Sequence, residues 1–524
     1  MEKGYLAFVL HAHLPFVRHP ENENLLEELW LYEAISETYL PLLRVFTRLE
    51  KDGIPFKFTL SVSPSLAAML EDELLQDRYV RHVDRLLELA DREVRRTGGD
   101  ARFHPLALMY RDLYEAAKRD FTEVYGKKIL RGFMFFMQKG HLELITTAAT
   151  HAFLPLYEMY PENVRTQVRA AVQSHCRVFG KTPKGFFLPE LGYYPGLENI
   201  LKEAGINYFF AAAPAVLFIP EGPRRGTFAP VFCPNGLAAF ARDTASAHAL
   251  WSARDGYPGD FSYRDFYRDI GFDLPLDYVS PYLRAGRGAT GFKYYAITGQ
   301  TDQKAPYDIA AAKKKIAEHA DNFIYSRLLQ MQRLCGKLDR PPIIVSPYDA
   351  ELFGHWWFEG PEWIETLCRK LAETRDIKMV FPQEYLAKYP SGQTAQPVFS
   401  SWGNKGYSEV WLDGSNDWIY RHIHKAVERM GELARRYPDE RGLRERALNH
   451  AAREVLLSQA SDWPFIMHAG TTVPYAVRRI TEHLSNFTRI YDSMSSGTVS
   501  TEWLTAFEKL NNIFPEMDYR MFQE

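Results

Sequence analysis

Short apolar runs, each closed by proline, glycine or a polar turn, recur along the first three quarters of the chain and alternate with longer stretches of helical period. The first, residues 5–10, is apolar on both faces, as a strand buried in a parallel sheet must be. Comparable runs at 57–62, 141–145, 185–188, 207–211, 292–297, 343–345 and 378–381 predict further strands. Between them, 25–50, 64–96, 105–139, 163–179 and 308–334 predict helices. Strand and helix in alternation imply an α/β barrel or open sheet. Residues 212–290 break the pattern: they are rich in Pro, Gly and aromatics, too long for a plain loop, and predict an insertion with some structure of its own. From about residue 391 the pattern changes again. A polar, loop-like stretch leads to helices predicted at 418–437, 440–461 and 473–494, an all-α tail.

Two of these strands deliver acids. In IIVSPYDAELFGHWWFEG the apolar run is expected to end at Pro347, with Asp349 just beyond it and Glu351, His355, Trp356 and Trp357 close behind. In FFLPELGYYPGLE, Pro189 is followed at once by Glu190. Side chains at strand ends are where an α/β enzyme presents its chemistry, and a pair of carboxyls suits glycosidic bond cleavage. An isolated acid carries little signal, since the chain has 66 Asp and Glu. The first strand runs into His11 and His13, which alternation places on one side. They suit a shared metal ion, with Asp349 or His141 completing it, or hydrogen bonds to sugar hydroxyls; the spacing does not separate the two. Trp402 and Trp411 lie in polar, glycine-rich surroundings that suit stacking platforms, whereas Asp462 beside Trp463 has helix capping as its default role.

Composition narrows the class. A length of 524 residues implies two or three domains. A formal charge of −3 with mixed signs and no long basic run argues against a nucleic-acid partner. The 30 Tyr and 10 Trp are many, and both residue types stack on sugar rings. Four dispersed cysteines with no CxxC pair predict reduced thiols, the amino-terminal pattern predicts no signal peptide, and the longest apolar run, 208–219, is too short to span a bilayer and contains Pro214, so a cytoplasmic protein is expected.

The blocks HAHLP, KGHLEL, FFLPELGYYPGLE, SPYDAELFGHWWFEG and the SSWG…SDWPF tail, in this order, resemble glycoside hydrolase family 57, most of all its 1,4-α-glucan branching enzyme group. The resemblance implies a (β/α)7 barrel over residues 1–395, with the insertion at about 212–290, and a helical domain over 396–524 that shares in the glucan cleft. It implies a retaining mechanism with no metal or organic cofactor, Glu190 as nucleophile and Asp349 as general acid/base. His11, His13 and His141 match histidines of the donor subsite; Arg254, Gly271, Trp402 and Asp462 match glucan-contacting positions. Trp356, Trp411 and Trp463 are further candidates for sugar contact. The implied partner is an α-glucan such as amylose, amylopectin or glycogen, bound by a monomer or small homo-oligomer. α-Amylase or 4-α-glucanotransferase activity on the same scaffold is the alternative; a glucan-binding protein without turnover and a metal-dependent hydrolase are weaker ones. Branching members resembling this chain carry a tyrosine on a loop over the site. Residues 209–256 contain none here, and Phe228 and Phe232 are the nearest aromatic candidates.

Overall fold

The computed structural model describes residues 3–252, 255–284 and 286–523. Nine strands form two sheets among them: β1 (Gly4–Ala12), β2 (Phe58–Val62), β3 (Leu142–Ile145), β4 (Gly185–Phe187), β5 (Tyr208–Ala211), β6 (Val231–Phe232), β7 (Ala238–Ala241), β8 (Ile343–Asp349) and β9 (Ile377–Met379). The first sheet runs β3-β2-β1-β8 and the second β4-β5-β7, all parallel, with the short β6 antiparallel on β7. Two seams join them. Thr146 bridges Phe186, with the Phe187 N–H on the Thr146 carbonyl at 2.8 Å. Beyond β7, the Asp243 N–H donates to the Val345 carbonyl of β8 at 2.8 Å. The seven parallel strands therefore close into a ring, with helices between successive strands. β9 adds to the amino-terminal end of β1, on the edge that β2 occupies further along.

Alternation sorts the side chains of the ring. Tyr5, Ala7 and Val9 of β1 face inward with Phe187, Phe210, Phe240, Ile343 and Val345, whereas Leu6, Phe8 and Leu10 face the surrounding helices. All nine residues of β1 are buried, which accounts for its unbroken apolar run.

Three expectations change. β8 does not end at Pro347 but runs through it to Asp349. The Pro342 carbonyl faces β1 and the Val345 carbonyl faces the β7 seam, so parity turns position 347 toward that seam, where the ladder is sparse and a missing N–H costs little. Residues 292–297 make only isolated bridges, Ala296 with Arg264 and Tyr295 with Pro306, because no barrel strand lies beside them. β7, inside the expected insertion, is a strand of the ring; its short AAFA sequence lacks the β-branched residues that signal a strand.

The carboxy-terminal region carries helices Tyr420–Arg436, Gly442–Ser458, Asp462–Ala469, Val473–Ser496 and Thr501–Leu510. A buried amide cluster locks it to the barrel: Gln459 exchanges hydrogen bonds with Asn163 at 2.8 and 3.1 Å and accepts from Gln167 at 2.9 Å.

Candidate active site

The carboxy-terminal ends of the ring strands converge on one pocket of polar side chains. Asp349 is the last residue of β8 and stands in register with His11 of β1, so both point into the barrel mouth. His11 stacks on Phe187 at the end of β4, ring centroids 4.0 Å apart and planes within 5°. Its Nε2 pairs with Nε2 of His151 at 2.8 Å, and Nδ1 with Ser61 Oγ at 3.1 Å. His13 stacks on His151 at 3.8 Å and pairs with Ser63 Oγ at 2.9 Å and Asp462 Oδ2 at 3.1 Å.

Glu190 follows β4 in a strained turn. Both Glu190 (φ 58°) and Leu191 (φ 49°) occupy the left-handed region, at a cost of order 1–3 kcal/mol each. The turn is held by the Leu191 N–H on the Leu188 carbonyl at 2.8 Å and by the Trp402 N–H on the Glu190 carbonyl at 3.0 Å. The carboxylate accepts the Trp402 indole N–H at 2.8 Å and the Ser461 hydroxyl at 2.8 Å. His151 Nδ1 lies 3.7 Å from it and pairs with Ser461 at 2.8 Å.

The two carboxyls are thus held differently. Burial raises Glu190 above its ordinary value, but the two donors oppose that and favour the anion. The Asp349 carboxyl accepts no hydrogen bond among the described residues. Burial, then the nearby charge of Glu190, pushes it to about 7 against the opposing charges of His13 and Arg242. The arrangement favours the charge on Glu190 and the proton on Asp349, which is how paired carboxyls divide the roles of nucleophile and acid. His13 is pulled down by burial, but Asp462, Glu351 and Glu190 outweigh that and raise it. Burial holds His11 and His151 well below the usual imidazole range. The resulting stack holds one imidazole disposed to be cationic and two neutral ones.

Of the residues singled out in the sequence, the fold brings Glu190, Asp349, His11, His13, Trp402 and Asp462 together. His141 lies elsewhere. It precedes β3, at the amino-terminal end of the barrel, where it stacks on Phe56 at 4.2 Å and pairs with Glu50. The histidine that completes the stack is His151, past the other end of the same strand. Trp411 and Trp463 are 2% and 1% exposed; Trp411 stacks on Phe153 at 4.6 Å, and the Trp463 indole donates to the Leu457 carbonyl at 3.0 Å, so both are packing residues. Trp356 is 52% exposed and stacked on Phe266 of the insertion at 4.7 Å, a flat face open to solvent. Gly271 is buried in the insertion. A Cβ there would meet the Gly288 carbonyl at 2.0 Å, so close backbone packing demands glycine. Arg254 lies outside the described residues.

Phe228 and Phe232 do not cover the cleft. The Phe228 carbonyl accepts from Ile343 N–H at 2.9 Å at the start of β8, and Phe232 pairs with Ala238 at the start of β7, so both belong to the far end of the barrel. Sequence reasoning missed His151 and Arg242, and gave Ser461 and Glu351 no role. The Arg242 guanidinium lies 5.2 Å over the Trp402 ring. Glu351 accepts the Tyr39 hydroxyl and the His13 N–H, and burial pushes it to about 7. Ser461 and Glu351 sit one and two residues from acids already marked. His151 carries no comparable signal.

His13, His151 and Asp462 bring one ligand atom each within 4.8 Å of one another and are the group best placed to hold a metal ion among the described residues. Hydrogen bonds already engage these groups: His13 with Asp462, and His151 with His11 and Ser461.

A closed parallel barrel with two unequal, half-buried carboxyls at its carboxy-terminal rim defines a carbohydrate-active enzyme. The family described as "Glycosyl hydrolase family 57" matches residues 7–397, and that described as "1,4-alpha-glucan branching enzyme, C-terminal" matches residues 422–522. The chain belongs to glycoside hydrolase family 57. It is 32% identical to the 1,4-alpha-glucan branching enzyme TK1436 of Thermococcus kodakarensis, over 98% of this chain and 77% of that relative. Among solved structures it resembles the alpha-amylase AmyC of Thermotoga maritima, with 42% identity, a TM-score of 0.93 and 99% of each chain covered. It also resembles the branching enzyme of Pyrococcus horikoshii, with 31% identity, a TM-score of 0.90, and 100% and 97% of the two chains covered.

Proposed function

We propose that the chain is a 1,4-α-glucan branching enzyme working by double displacement with retention. Glu190 attacks the anomeric carbon of an α-1,4 linkage while Asp349 protonates the departing chain. Asp349, now a carboxylate, deprotonates the 6-hydroxyl of an acceptor glucan, which attacks the glycosyl-enzyme and forms the α-1,6 branch. Trp402 and Ser461 hold the Glu190 anion, and the histidine stack offers polar contacts to donor sugar hydroxyls. The observation that carries the reading is the origin of two of these groups. The helical domain whose family description is that of branching enzymes supplies Ser461 to the nucleophile and Asp462 to His13.

A second reading has its own support. The AmyC structure, 42% identical, is titled an alpha-amylase. With water as acceptor the same two steps give hydrolysis. Proton NMR of amylose incubated with the enzyme, with reducing ends counted in parallel, separates the two. New α-1,6 signals with few new reducing ends are expected; rising reducing ends without α-1,6 signals would overturn branching and make the protein an amylase. Four unpaired cysteines support a cytoplasmic setting, and among the described residues no helix is long and apolar enough to cross a membrane.

A further inference from the structure

A groove of about 630 Å³ runs along the helical domain between the Trp418 turn and the helix Val473–Ser496, and it shares no residue with the catalytic pocket. One wall is a half-buried tryptophan, Trp418, packed on the domain core. The other is a polar helix face. Thr481, Ser485, Thr488 and Asp492 follow one another at steps of four, three and four residues, so they line one side of the helix for roughly 16 Å. All four are exposed.

The hydrogen-bonding character of this face is one-sided. The hydroxyls of Thr481 and Thr488 donate to the carbonyls of Val477 and Leu484 of their own helix, each at 2.8 Å, which leaves oxygen lone pairs toward the groove. Asp492 is an acceptor, and its carboxylate has no partner among the described residues. The groove therefore presents acceptors from Thr481, Thr488 and Asp492, with Ser485 able to donate or accept, opposite an aromatic surface. Two basic side chains, His422 and Arg489, also line the groove, and the Arg489 guanidinium is drawn over the rings of Trp503 and Phe507, at 5.0 and 5.6 Å from their centroids. With the Asp492 carboxylate in the same lining, the groove carries no run of positive charge for a polyanion. A polyol chain, with hydroxyl donors along its edge and apolar C–H faces that stack on an indole, matches both walls.

We propose that this groove is a second α-glucan site, which holds one part of a long chain while another part occupies the catalytic pocket. A second foothold on one polymer raises the effective concentration of the first and leaves short substrates unaffected. The inference rests on the α-glucan reading above.

The test is affinity electrophoresis of the full-length enzyme in gels containing amylopectin, with turnover of maltoheptaose measured in parallel. Trp418→Ala and the double variant Ser485→Glu/Thr488→Glu, which keeps Trp418 packing intact, are both expected to weaken retention about tenfold with maltoheptaose turnover unchanged. Retention equal to the parent in the double variant would overturn the site, whatever Trp418→Ala does to folding. A parent enzyme that no α-glucan retards would instead overturn the substrate reading itself.

Discussion

Trp402 grips Glu190 twice, its backbone N–H on the Glu190 carbonyl at 3.0 Å and its indole N–H on the carboxylate at 2.8 Å. One residue beyond the barrel thus holds the strained turn of the proposed nucleophile and favours its charged form. Trp402→Phe keeps the ring and removes the donor. A hydrogen bond to a charged group contributes about 1.5–3 kcal/mol, so kcat should fall roughly ten- to a hundredfold. With one donor fewer the anion is less favoured, the Glu190 pKa rises, and the acid limb of the kcat/KM profile moves to higher pH. A lower rate with an unmoved acid limb would show that the indole acts by shape alone.

Asp349 sets the other limb. In the proposed mechanism it works as an acid in the first step, so the protonated form is needed and activity in kcat/KM should fall as pH rises through about 7. The carboxyls interact, so the two limbs report the pair. Glu190→Gln removes the charge that helps hold the proton on Asp349. In that variant the Asp349 carboxyl, followed by carbon NMR, should titrate at a lower pH than in the parent. An unchanged titration would mean that burial alone raises it.

The two histidines flanking β3 give opposite expectations. His151→Ala leaves His11 Nε2 and the Ser461 hydroxyl without their partner, and buried groups left unpaired cost about 1–3 kcal/mol. Roughly tenfold or greater loss of kcat is expected. His141→Ala, at the amino-terminal end of the barrel, should leave kcat unchanged within twofold, although losing the Glu50 pair lowers stability slightly. Equal losses in the two variants would contradict the placement of either ring.

These two residues also mark where sequence reading reached and where it stopped. Asp349 and Glu190 were legible because an apolar run with a proline in or just after it, followed by an acid, is a local pattern, and local patterns survive without knowledge of the fold. His141 and His151 differ only in which end of a strand they occupy, and a strand written as letters does not say which of its ends faces the site. The seam strand β7 escaped because four small or aromatic residues, AAFA, are buried by their neighbours rather than by their own bulk. Trp411 misled for the converse reason: polar, glycine-rich neighbours suggested exposure, but Phe153, from the loop after β3, covers its face. Ser461 came into place through the amide cluster around Gln459, a contact between segments almost three hundred residues apart in sequence.

The loop after β8 rests on one glycine. Gly354 has φ +115°, and a Cβ there would lie 1.8 Å from the carbonyl oxygen of Glu37, in the π-helical turn Ala34–Tyr39 between β1 and β2. Its N–H donates to the Trp357 carbonyl at 2.7 Å, which closes the turn that carries His355 and Trp356. Gly354→Ala meets both a backbone conformation that L-residues avoid and a backbone atom that cannot rotate aside. About 3 kcal/mol of destabilisation is expected, read as a lower urea midpoint at an unchanged m-value. The same shift would carry Glu37 away from His355, whose Nδ1 it accepts at 2.7 Å, and with it the pairing of Trp356 on Phe266. Protein that remains folded should therefore bind long glucans more weakly than its circular dichroism would suggest. A urea midpoint equal to the parent's would show that the Glu37 turn yields, and that the loop is not anchored there.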